Sequence, residues 1–127
     1  MMFGIFKNKQ KTPENLLFLI NAHIGCGTNA EMPMNLVGAY VPVFVAALNH
    51  EIAAQKAVSN LTSQGYEFIE IADGKIHQLE PLKWDAYVIK TWPEFVTHFP
   101  KQSEIISKLH SDLLFFGPFA SYEAPIT

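Results

Sequence analysis

The chain carries one cysteine, Cys26, among 127 residues, so no internal disulfide can form and no framework of bridges can hold a small secreted fold together. A reducing, cytoplasmic setting is the expectation. Charge is scarce as well: 17% of residues are charged, against about 25% in ordinary domains. The nine basic residues are scattered and the net charge is −3, so no basic stripe exists to neutralise a phosphate backbone, and nucleic acid is not an expected partner. Between Glu31 and Glu51 only His50 can carry charge, yet Pro33, Asn35, Pro42 and Asn49 interrupt the segment. Its apolar part falls short of the roughly 20 residues a spanning helix needs. The opening MMFGIFKNKQK places its lysines after the apolar residues, the reverse of a signal peptide. It reads as a flexible tail over 1–11 with little anchoring energy for a membrane surface. Repeats, low-complexity tracts and long linkers are lacking too, which predicts one domain over 1–127.

What the chain does have is apolar and aromatic side chains, at 49% and 13% of its residues. A domain of this size buries roughly two thirds of its unfolded surface, ample for a core, and the surplus points to a subunit contact. Thr12-Pro13-Glu14 has the chemistry of a helix start. A helix from there to about Gly25 is expected, followed by a loop over 25–38, although the five apolar residues Leu16–Ile20 fit helix or strand alike. AYVPVFVAAL, residues 39–48, suits a strand buried on both faces, with Pro42 confined to a strand start, a bulge or an unpaired side. Asn49 is a good N-cap for a helix over 50–64 closed by Gly65. Asp73-Gly74 predicts a tight hairpin joining strands at 66–72 and 75–79. From 82 to 99 the helical period returns, and Pro93 predicts a kink or a second helix start. A short helix near 102–110 leads to a last strand, LLFFGPFASY, broken at Gly117-Pro118.

In order, residues 39–122 read strand, helix, strand, hairpin, strand, helices, strand. This resembles the βαββαβ order of ferredoxin-like domains. The resemblance implies an α+β sandwich with 39–48 and 113–116 at mid-sheet and the hairpin partly at the edge, to which the N-terminal helix and loop over 12–38 would be an extension. Fold alone assigns no function.

HIGCGTN, residues 23–29, is the strongest candidate for chemistry. A thiol nucleophile needs a base and a group that orients it; Cys26, His23 and Glu31 supply the types. If Cys26 follows a helix C-terminus, the dipole there disfavours a thiolate. The simpler reading is a small residue in a turn. His-x-x-Cys offers two metal ligands where a closed zinc site takes four, and His50, His77, His98 and His110 are isolated, so no metal and no cofactor are expected. Gly25-x-Gly27 lacks the third glycine and the following helix of a phosphate loop. Asp85, in the first turn of its helix, reads as a capping acid, and no second carboxylate joins it on that face.

The aromatic stripe over 84–99 is first of all core. Its excess, together with the aromatics that follow, also supplies the side chains that dominate interfaces, and the candidate contact residues are Trp84, Trp92, Phe95, Phe99, Phe119 and Tyr122. The expected function is that of a small bacterial-type protein-binding or regulatory module, a homodimer or one half of a complex, of which an immunity-type protein is one form. Two alternatives are a thiol-dependent enzyme centred on Cys26 and a small-ligand sensor.

Overall fold

In the computed structural model, residues 14–29 and 36–123 are described. Two long antiparallel strands lie at its centre. Strand β1, Leu16–Gly25, pairs with β2, Leu36–Ala47, in register from Leu16 opposite Ala47 to Gly25 opposite Gly38. The helix expected over this first segment is thus a strand. Phe18, Ile20, Ala22 and Ile24 enter one core while Leu17 and Leu19 enter another. Both faces are covered there, so the apolar run carried no visible alternation, and only the partner strands decided between the two periods. The Thr12-Pro13 start signal and the 1–11 tail lie outside the described residues.

On its other side β2 pairs with β4, Leu114–Phe116, and with β5, Ala120–Glu123. These are two pieces of one path, separated at 117–119, as the Gly-Pro pair predicts. Pro42 sits against that gap: its carbonyl accepts the Gly117 N–H at 2.8 Å, and the donor it lacks falls where the neighbouring strand is interrupted.

Strand β3, Glu67–Leu79, flanks β1 on the opposite side. Here the expected hairpin is absent. Residues 67–71 and 76–79 run in the same direction along β1, and Ala72–Lys75 bulge out opposite Asn21. Gly74 takes φ +69° but Asp73 does not follow it into the left-handed region that a tight hairpin turn needs, and the chain continues as strand because β1 offers partners to both halves.

Among the described residues the sheet is five-stranded and antiparallel, ordered β3-β1-β2 and then β4 and β5. It does not show the ferredoxin-like order expected over 39–122. Residues 16–25 occupy its middle, and 114–116 lie at an edge, not at mid-sheet. Helix α1, His50–Ser63, covers one face; Asn49 caps it by accepting the Ile52 N–H at 2.9 Å. Ala53, Ala57 and Leu61 are buried against Phe18, Ile20, Val43 and Val45. Small side chains let this helix lie close to the strands, and Gly65 follows its end as anticipated.

Among the described residues, helices cover the other face at one end only. A turn of 3₁₀ helix at Pro81–Lys83 leads into α2, Trp84–Thr91; a second 3₁₀ segment spans Pro93–His98, and α3 spans Gln102–Lys108. The break before Pro93 is where sequence places it, with Trp92 at φ −130°, ψ 53°. Trp84, Val88, Phe99 and Ile105 pack on Leu17, Leu19 and Phe44. Phe44 meets Trp84 and Phe99 edge-on at 5.2 and 5.7 Å and stacks on Phe115 at 5.1 Å, and the Trp84 indole N–H donates to the Pro100 carbonyl at 2.9 Å. Asp85 joins α2 to α3, since its carboxylate accepts the Gln102 N–H while its own N–H donates to the Gln102 side chain. No helix among the described residues is long and apolar enough to cross a membrane.

Candidate functional site

Beyond Leu19 and Phe44 the helical layer formed by the described residues stops, and the second sheet face continues with polar and aromatic side chains. Alternation along β1 puts Asn21 and His23 on this face; the register brings Tyr40 of β2 and Glu70 of β3 opposite His23, one on each side. Tyr122 of β5 stands opposite Gly38. Because Gly38 has no side chain, the Tyr122 ring lies across it: a Cβ there would collide with the Tyr122 hydroxyl and ring, and would stand 2.7 Å from the Ile24 carbonyl oxygen. The phenol thereby reaches past β2 to the imidazole on β1.

The result is a chain of three groups. His23 Nε2 lies 2.6 Å from the Tyr122 hydroxyl, and Nδ1 lies 3.3 Å from the Glu70 carboxylate. A carboxylate only accepts, so Nδ1 donates to it, and Nε2 of the neutral ring is left to accept the phenolic proton. Tyr40 stacks on the imidazole, with centroids 4.5 Å apart and planes 18° apart, which fixes the ring's orientation. The His23 side chain is 15% exposed, Glu70 61% and Tyr40 44%. The base is shielded while its flanking groups meet solvent.

A second polar group adjoins the first. Within the β3 bulge, Asp73 accepts from His77 at 2.6 Å, from the Lys75 N–H at 3.0 Å and from Asn21 at 3.4 Å. The His77 hydrogen bond is the main reason its carboxyl is held below the usual range, with slight burial opposing it. Glu67 extends over Gly25 at the outer end of the same face.

Cys26 is half-buried in the turn after β1, closed by the Asn29 N–H on its carbonyl at 2.9 Å. That turn is a docking element. Gly27 takes φ +53°, where a Cβ would collide with the Gly65 carbonyl, and Thr28 N–H donates to that same carbonyl at 2.8 Å. Glu31 lies outside the described residues. His23 is brought to Glu70 and Tyr122, and the segment leading to Cys26 is strand β1, not the helix whose C-terminal dipole would disfavour a thiolate. Among the described residues no three His, Cys, Asp or Glu side chains gather as metal ligands. Each isolated histidine has other company: His77 the Asp73 carboxylate, His98 the Phe116 carbonyl, His110 the Asn15 N–H, and His50 the Phe18 ring.

Of the aromatic contact candidates, Trp84 and Phe99 are core residues at 1% and 6% exposure. Trp92 is half-buried, Phe95 and Phe119 are at the surface, and Tyr122 belongs to the His23 cluster. The stripe divides at Trp92, where the backbone leaves the helical region and turns Phe95 and Val96 outward. With Ile89 and Val88, Val96 lines a groove of about 500 Å³ between α2 and α3.

Sequence reasoning named His23 and Tyr122 separately and missed Tyr40, Glu70 and the link among them. The partners are 47 and 99 residues from His23, and only strand register places them. No protein-family model, curated protein or solved structure matches this chain, so its function is read from this geometry.

Proposed function

We propose that this protein is a binding module, and that the half of the second sheet face which no described residue covers takes a basic segment of a protein partner. A cytoplasmic, bacterial-type regulatory or immunity-type role belongs to the same proposal. The observation that carries it is the pairing of aromatic faces with carboxylates: Tyr40 and Tyr122 lie among Glu67, Glu70 and Asp73, in a chain of net charge −3. Lys75 is the one lysine in the five strands. Aromatic rings beside carboxylates attract ammonium and guanidinium groups through the ring quadrupole and through charge, and partial desolvation strengthens both. Hydrogen bonds hold His23, Glu70 and Tyr122 in place beforehand, which lowers the ordering entropy of association.

The test is a titration of the labelled protein with a lysine- and arginine-rich peptide and with an acidic peptide of equal length, followed by backbone NMR shifts at several salt concentrations. The basic peptide should move the Asn21, Tyr40 and Glu70 amides, weaken with salt, and lose affinity about tenfold in Tyr40→Ala. Equal binding of the acidic peptide would refute the reading. So would a concentration-dependent dimer formed through this face, since the occupant would then be a second copy of the chain.

A further inference from the structure

The same cluster has a property that recognition of a basic segment does not use. Of the two protons on the His23 axis, one is tied to an acceptor that cannot return it, so the imidazole's free lone pair is aimed at the Tyr122 hydroxyl, 2.6 Å away. A carboxylate, an imidazole and a hydroxyl in that sequence are the parts of an activated nucleophile: the base removes the proton, and the carboxylate holds the base in one tautomer and stabilises the cation that forms. Tyr40 limits rotation of the ring by stacking, and Gly38 clears the path of the phenol. Three strands thus contribute one group each to a single proton path, and β2 supplies the stacking ring of Tyr40 and the space at Gly38.

We propose that Tyr122 is a base-activated phenol that accepts an acyl, sulfonyl or phosphoryl group from an electrophilic donor. In the step, the phenolic O–H bond breaks and its proton passes to His23 Nε2. The freed oxygen pair bonds to the electrophilic carbon, sulfur or phosphorus, and the leaving group departs with its bonding pair. No electron is gained or lost. Tyr122 and His23 touch the reacting atoms; Glu70 is a positioning residue. Among the described residues the groups facing the imidazole are Glu70 from β3, Tyr122 from β5 and Tyr40 from β2, and none of these is a lysine that would compete for the donor.

The probe is phenylmethanesulfonyl fluoride, which releases one fluoride per tyrosine modified, with the labelled residue identified by peptide mass mapping. Tyr122 should react faster than Tyr40 by about 100-fold, the lower end of what a positioned general base contributes. Its rate should level off with pH, whereas an ordinary phenol, ionising near pH 10, gains about tenfold per unit below that value. His23→Gln should abolish the advantage. Glu70→Gln, at an exposed carboxylate, should keep the fold, lower the rate and change the pH profile; a purely structural tie between β5 and β1 would leave that profile unmoved. Tyr122 labelled no faster than Tyr40, or a folded His23→Gln chain that retains the advantage, would overturn the proposal. Should His23→Gln fail to fold, an unchanged rate and profile in Glu70→Gln would overturn it equally.

Discussion

Gly38→Ala tests how one missing side chain assembles the site. The added Cβ would meet the Tyr122 hydroxyl and ring and come within 2.7 Å of the Ile24 carbonyl oxygen, so the ring, the strand or both must move. Overpacking of this kind costs about 1–3 kcal/mol. Losing the phenol–imidazole bond adds about 1 kcal/mol. Alanine recovers about 0.5–1 kcal/mol because it restricts the unfolded chain more than glycine does. The net expectation is a loss of about 2 kcal/mol by urea unfolding at 25 °C. A cycle with Tyr122→Ala separates the causes: without the ring, only the conflict with the Ile24 backbone remains, so the cost of Gly38→Ala should fall by about 1–2 kcal/mol. Equal costs in the two backgrounds would refute the claim that Gly38 is small for the sake of Tyr122.

Two further perturbations probe the core and the bulge. Trp84→Ala should destabilise the protein by about 3–5 kcal/mol in denaturant unfolding, since it removes a fully buried indole at the centre of four aromatic contacts. Trp84→Phe should cost less, the residue being chiefly the unpaired Pro100 carbonyl. For Asp73, a carboxyl whose pKa is lower folded than unfolded contributes stability above its unfolded value, near pH 4, and that contribution disappears as pH falls through the folded value. The stability difference between wild type and Asp73→Asn should therefore shrink as pH is lowered below about 4; a difference that grew on acidification would contradict the His77 contact as the cause.

The helix boundaries were legible because they are written locally. Asn49 caps, Gly65 ends, Pro93 breaks and Gly117-Pro118 interrupts within a few residues of where the chain changes state. The strand at 16–25 was not, since a segment covered on both faces hides its period, and five apolar residues in a row are silent about whether they repeat every two or every 3.6 positions. Asp73-Gly74 misled for a related reason. A hairpin turn and a bulge use the same two residues, and the difference lies in β1, some fifty positions earlier, which supplies partners to both halves. The candidate site was the least legible, because its members come from four strands and a one-residue slip in any pairing would turn its side chain to the opposite face.

The bulge and the gap have one more consequence. An open sheet has two rims, each a row of free N–H and C=O groups on which another chain could build. The rim on β3 would run thirteen residues unbroken, long enough to template a fibril, but Ala72–Lys75 kink it and set Asp73 and Lys75 at the kink. The opposite rim is cut to three and four residues by 117–119, with Pro118 in the cut. The features that defeat a simple reading of this chain also deny neighbouring molecules a straight edge to extend.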